Sequence, residues 1–401
     1  MIYINNVEHL DGKIGVLEVA SADEMVIDGT GLIAIPALID PHVHFRVPGL
    51  EHKETWHSAA LAALKGGITT VFDMPNTLPA CITKQRLDEK KKIIDIQLKE
   101  AHCPLRYHLY LGADKANFHE ISAAQQDIIG LKVFMGSTTG DLVMDDDSSL
   151  HAAFSIASAH NLVVAVHAED EALITERTAS CRDLNPRAHS KIRNWEVAYR
   201  ATEKAISLAK LYKTRLYLLH IGTSQELRLI AEAKREGVDV FAETTPHHLL
   251  LSEKDYENLG TKVQVNPPIR TEEDNEALFA AIKEGIIDTI GSDHAPHTLE
   301  EKNKPYGQAP SGIPGIELML ALLLNTNKIP LTTLVKLMRT NIEKIFHLKT
   351  NEDIVLIDRE KIKCIQDCDL KTKCGWSPYA GLTLKGFPVI TIMQGKIYDF
   401  R

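Results

Sequence analysis

Eight short apolar runs alternate with longer amphipathic stretches through the middle of this 401-residue chain, and that order constrains the fold more than any other feature. The runs lie at 37–45, 69–74, 105–111, 128–135, 162–167, 215–220, 238–243 and 286–292. Between them, 85–100, 195–212, 225–236 and 274–284 carry apolar residues at helical spacing. Gly237 and Gly285 stand where glycines end helices. Strands alternating with helices pair in parallel through right-handed crossovers, and eight of them close into a TIM-like (β/α)8 barrel; an open doubly wound sheet is the alternative. Residues 1–35 and 351–401 read differently, as short strands and turns at 16–19, 354–357 and 389–393 before Gly395-Lys396. They are expected to pair with each other as a small β domain beside a barrel spanning 36–350.

Composition narrows the class of function. A hydrophobic content of 44% with 25% charged residues is that of an ordinary globular protein. A net charge of -9 offers no general attraction for nucleic acid or an anionic membrane, so chemistry on a small molecule is expected. Residues 1–8 carry no signal-like pattern, and no apolar stretch, the best being 318–324, reaches the ~20 residues that span a bilayer. A cytoplasmic location is expected. The six cysteines are scattered, and Cys364, Cys368 and Cys374 lack the paired spacing of a zinc cluster, so reduced thiols are expected.

Functional residues of such a barrel sit where its strands end. The first run ends in Asp40-Pro41-His42-Val43-His44, the fourth contains Lys132, the fifth ends in His167, the sixth in His220, and the eighth in Ser292-Asp293. Histidines at i and i+2 of a strand share a face, so His42 and His44 can grip one ion. A lone pair of this kind is as readily a pair of core histidines, but His167, His220 and Asp293 recur at other strand ends, which points to a metal centre. Lys132 inside an apolar strand must pair, snorkel or lose its charge. An ion pair with Asp293 or Glu169 and conversion to a carbamate by carbon dioxide are both open to it.

Asp-Pro-His-Val-His-Phe-Arg at 40–46, Met-Pro-Asn-Thr at 74–77, Asn-Pro-Pro-Ile-Arg at 266–270 and Gly-Ser-Asp-His-Ala-Pro-His at 291–297 together resemble the dihydroorotases of the amidohydrolase superfamily. The resemblance covers nearly the whole chain, through Pro246-His247-His248-Leu249 to Lys373-Cys374-Gly375-Trp376. It implies two divalent metal ions, zinc by the ligand types, with His42, His44 and Asp293 on one, His167 and His220 on the other, and carboxylated Lys132 bridging them. Met135-Gly136-Ser137-Thr138 replaces the Ser-Asp-Asp-Gly stretch of members without that lysine. Leu219 stands where a further metal would need Cys, although Glu243 fills the matching glutamate position.

The reaction so implied is reversible hydrolysis of (S)-dihydroorotate to N-carbamoyl-L-aspartate, a step of pyrimidine synthesis. A hydroxide shared by the ions would attack, with Asp293 as ligand and proton shuttle. The substrate's carboxylate calls for a cation away from the metals, which Arg46 supplies; a surface ion pair with Glu51 or Glu54 is the alternative. The resemblance assigns Arg46, Asn76 and His297 to that carboxylate and Asn266 to the ring. Residues 298–310 read as a charged loop, either a solvated face or a lid. An allantoinase, a dihydropyrimidinase and a non-catalytic scaffold are the competing readings. A homodimer is expected; association with aspartate transcarbamoylase is left open.

Overall fold

Barrel strands are apolar along their whole length because helices cover one face and packed side chains fill the other. In the structure, a computed structural model that describes residues 1–401 apart from 139, 141 and 184, the eight runs form one sheet in chain order, with parallel pairing throughout. Its strands are Leu38–Val43, Ile68–Asp73, Arg106–Gly112, Gly130–Phe134, Val163–His167, Arg215–Leu218, Val240–Thr244 and Thr289–Ile290. The two ends of the sheet are drawn together by a parallel bridge between Val43 and His294, where the His44 N–H donates to the His294 carbonyl at 2.8 Å. The open sheet is thereby set aside.

The expected helices appear at Lys84–Glu100, Trp195–Tyr212, Ser224–Arg235 and Glu272–Glu284. Each starts at a residue, Thr83, Asn194, Thr223 or Thr271, whose side-chain oxygen accepts an amide of the first turn. Their apolar stripes, Ala201, Ala205 and Leu208 in one case, join the strands in a continuous core. The eighth strand is shorter than its apolar run. The Ser292 N–H is taken by the Asp40 carboxylate at 3.0 Å and Asp293 adopts a φ of 45°, so extended pairing stops at Ile290.

The chain ends build a second, seven-stranded sheet. Ile354–Cys364 pairs antiparallel with Leu32–Pro36 and with Thr383–Met393, and Ile2–Glu8 pairs antiparallel with Ile14–Val19. Ile2, Ile4, Val7, Leu356 and Ile390 form its own apolar cluster. Only Ala37 separates Leu32–Pro36 from the first barrel strand, so the two sheets are joined without a flexible linker.

Residues 298–310 are largely exposed, as a solvated face would be, but they are anchored from within. Leu299–Lys302 is a short helix whose cap Thr298 and Glu301 bond each other reciprocally. Lys302 turns inward, fully buried, and its Nζ donates to the carbonyls of Gln264 at 3.0 Å and Pro310 at 2.9 Å. All six cysteines are free. Among the described residues no helix is long and apolar enough to cross a membrane.

Candidate active site

The strand ends deliver the expected side chains to one cavity, lined by His42, His44, Lys132, His167, His220 and Asp293, with Arg46, Asn76 and Asn266 also on its wall. Three of these hold the left-handed backbone that residues with a Cβ seldom adopt: Arg46 at φ 66°, His220 at 42° and Asp293 at 45°. Such conformations cost about 1 kcal/mol or more each and persist where surrounding contacts impose them. Gly291 is required by close approach. A Cβ there would lie 2.6 Å from Glu243 Oε2 and 3.1 Å from the His42 Cβ.

His42 and His44 each have one nitrogen committed outside the cavity. His42 Nδ1 lies 2.7 Å from Glu243 Oε1, and His44 Nδ1 lies 2.7 Å from Asn76 Oδ1. Both partners are acceptors, so both Nδ1 atoms carry the proton and both Nε2 lone pairs face inward. They converge on one oxygen, Asp293 Oδ1, at 3.2 and 3.1 Å. Three electron-rich atoms aimed at one another repel unless a cation lies among them, and the three side chains offer ligand atoms within 4.8 Å of one another. A proton is the other relief: burial disfavours charge on His42, yet Asp293 and Glu243 on its two sides outweigh this and raise its pKa. His44, without a second carboxylate, is pulled down to about 3 by burial.

In the second pair one ring follows the same pattern. His167 Nε2 lies 3.0 Å from Glu169 Oε2, which fixes its proton there and leaves the Nδ1 lone pair 3.0 Å from His220 Nε2. Burial opposes ionisation of Glu169, but Arg193, 2.5 Å away, and His167 prevail and hold it at about 2. Among the described residues the buried Nδ1 of His220 has no hydrogen-bond partner, and burial keeps this ring neutral. Four imidazoles, three of them with a lone pair fixed toward the cavity, and a carboxylate fit divalent metal ions of the borderline kind.

Lys132 is 1% exposed, and burial pulls its ammonium down to about 7 against the opposing charges of Asp293 and Glu243. Among the described residues it makes no ion pair; its Nζ stands 4.4 Å over the Phe134 ring. The ion pair with Asp293 or Glu169 is therefore not formed. Burial likewise opposes ionisation of Asp293, and His42 and His44 overcome it, holding its carboxyl well below the usual range.

Arg46 does not reach Glu51 or Glu54. Its Nε donates to the Pro296 carbonyl at 3.0 Å and its Nη2 lies 3.1 Å from His297 Nε2. Burial lowers the guanidinium only to about 10, so it stays charged at neutral pH. His297 stands behind Arg46 rather than on the cavity wall, with Nε2 3.1 Å from the Ser311 carbonyl and Nδ1 2.9 Å from Lys53 Nζ. Asn266 lines the cavity and bonds His189 at 2.9 Å.

Sequence reasoning reads Glu243 only at the glutamate position of a further metal and Glu169 only as an ion-pair partner open to Lys132, and it does not read Arg193 and His189 as parts of this site. Glu243 bonds His42 and accepts the Tyr217 hydroxyl at 2.8 Å, an orienting post rather than a stray glutamate. A carboxylate two residues beyond His167, and another at the end of the seventh strand, were the available signals.

The amidohydrolase family model matches residues 33–351. A dihydroorotase of Methanosphaera stadtmanae is 34% identical, covering 99% of this chain and 92% of that protein. One of Bacillus cytotoxicus is 34% identical over 96% of this chain and 92% of its own length. Among solved structures, an L-hydantoinase (dihydropyrimidinase) from Arthrobacter aurescens superposes with a TM-score of 0.90 at 27% identity, covering 99% of this chain and 96% of the other. A dihydropyrimidinase from Brevibacillus agri gives 0.86 at 26%, covering 98% and 94%. The convergent histidines and aspartate, the barrel that carries them and these full-length similarities agree: the chain belongs to the amidohydrolase family.

Proposed function

We propose that this hydrolase of cyclic amides is a dihydroorotase, opening (S)-dihydroorotate to N-carbamoyl-L-aspartate and closing it in reverse. The observation that carries the substrate choice is Arg46. A buried guanidinium on the cavity wall, with no ion-paired carboxylate among the described residues, asks for an anion from the ligand, and dihydroorotate brings one. Hydantoin, dihydrouracil and allantoin rings bring none.

His42, His44 and Asp293 would hold one ion, and His167 and His220 a second, with Zn2+ suited to the donors. The neutral amine that burial favours at Lys132 is the form able to attack carbon dioxide, and the anionic carbamate left after loss of a proton would add oxygen donors to the ligand set. Bound there, the ions would acidify water and polarise the scissile carbonyl. The chain does the rest. Arg46 fixes the substrate's carboxylate together with Asn76, backed by His297, while Asn266 bounds the ring. Asp293 takes a proton from the attacking water on a carboxylate oxygen and delivers it to the ring nitrogen as the C–N bond breaks. In ring closure the same oxygen runs the transfer backward.

The test is turnover of metal-replete protein on dihydroorotate, hydantoin, dihydrouracil and allantoin. Preference for dihydroorotate, with Arg46→Met raising its KM at least tenfold, is expected. Preference for an uncharged ring would move the chain to its hydantoinase-like relatives, and no turnover of any would mark a scaffold.

A further inference from the structure

We infer that His189, which lies outside the metal centre, is a positioning residue that dictates which face of the Asn266 carboxamide meets the substrate. This rests on the cyclic-amide reading above. His189 belongs to the short helix Ala188–Ile192, and its Nε2 lies 2.9 Å from the Val265 carbonyl and 2.9 Å from Asn266 Oδ1. A carbonyl can only accept, so Val265 obliges Nε2 to carry the proton. The Asn266 atom facing that N–H must then be its oxygen, and the amide nitrogen is turned the other way, toward Thr138 Oγ1 at 3.4 Å and the cavity that both residues line. The opposite ring nitrogen, Nδ1, is left as an acceptor and faces the Tyr306 hydroxyl at 3.4 Å.

Every bond of the chain Tyr306, His189, Asn266 is thus polarised in one direction. The cavity receives an N–H donor at Asn266, matched to a ring carbonyl oxygen of a cyclic imide or amide. Burial holds the His189 ring neutral, its pKa near 4, so this polarity persists through the neutral range. Without His189 the carboxamide could present either end, and half of its orientations would set oxygen against the substrate's oxygen. Tyr306 lies in the segment anchored by Lys302, so the same chain ties that segment to the substrate wall.

Steady-state kinetics of His189→Leu, His189→Gln, Asn266→Ala and the Leu/Ala double variant test this, on whichever cyclic amide the wild type turns over. Loss of one orienting bond should raise KM about tenfold in His189→Leu with kcat within about twofold and metal content unchanged. His189→Gln, which keeps an N–H near the Nε2 position, should recover most of the affinity. In the Asn266→Ala background, His189→Leu should add nothing. Should the Leu variant not fold, His189→Asn, polar and too short to reach both acceptors, replaces it with the same expectations. Additive effects, equal losses in the Leu and Gln variants, or an unmoved KM would overturn the inference. A wild type inactive on dihydroorotate but active on hydantoin would overturn only the substrate assignment, since the KM ratios remain measurable.

Discussion

The proposed reaction makes two demands of the one carboxylate of Asp293, as ligand and as proton carrier, and its surroundings suit both. With Oδ1 shared between the Nε2 atoms of His42 and His44, it stays ionised despite burial and is ready to take a proton. Asp293→Asn keeps a neutral oxygen at that point but cannot carry the proton. Its kcat should fall by roughly 10²–10⁴ with KM within a few fold and metal content retained. Activity within tenfold of wild type would remove Asp293 from proton transfer. Lys132 gives a second prediction, in the metal-free protein kept clear of carbon dioxide. Its folded pKa of about 7 lies below the ordinary lysine value of 10.5. Between these values the unfolded chain binds a proton that the folded chain does not, so its contribution to stability grows as pH rises through that window. Below about 7 both states are protonated and the contribution is flat. Urea unfolding at pH 7, 8 and 9 should show wild type gaining on Lys132→Met by up to about 1.4 kcal/mol per pH unit. Parallel pH dependences would mean that Lys132 is not held neutral by burial.

Among the elements, residues 298–310 show what a charged run conceals. Glu300, Glu301, Lys302 and Lys304 look alike in composition, yet one of them is the anchor: Lys302 reaches two carbonyls in the interior, and its own carbonyl accepts from Thr261 Oγ1 at 2.5 Å. Lys302→Met should leave those carbonyls unpaired at a cost of about 1–3 kcal/mol, seen as a lower urea midpoint and faster proteolysis between 303 and 310. An unchanged cleavage rate would show that the segment is held by something else. The barrel strands were legible because a strand covered on both faces must be apolar throughout, and the strand-end histidines because a metal needs its donors together. What was not legible depends on backbone conformation and on partners distant in sequence. No local pattern shows that Ile290 ends the eighth strand, that Arg46, His220 and Asp293 take positive φ, or that His189 bonds Asn266 across 77 residues. Nor could composition tell which lysine of 302 and 304 turns inward, since both have polar neighbours and only the carbonyls they meet differ.

At the scale of the whole molecule, the chain's two sheets are coupled by the segment that returns from the terminal sheet to the mouth of the barrel. Trp376 and Tyr379 share an apolar cluster with Val265, Ile269 and Ile313, which flank Asn266 on one side and Gly312 on the other. The Trp376 indole N–H donates to the His297 carbonyl at 2.8 Å, and His297 stands against Arg46. Close by, Thr372 bonds Glu54, whose Oε2 lies 3.4 Å from His294 Nε2, the residue after Asp293. Residues beyond position 370 therefore brace both the Arg46 side and the aspartate of a cavity whose wall they do not form. Trp376→Phe keeps most of the buried surface and removes only the N–H, leaving the His297 carbonyl without that donor. The loss should be local: the urea midpoint falls by the equivalent of about 1 kcal/mol, and KM for dihydroorotate rises several-fold while kcat changes little. With Arg46 in its proposed role as the carboxylate's partner, hydantoin or dihydrouracil, if turned over at all, should show no comparable rise in KM. Equal effects on charged and uncharged rings would place the influence of Trp376 on the cavity as a whole rather than on Arg46.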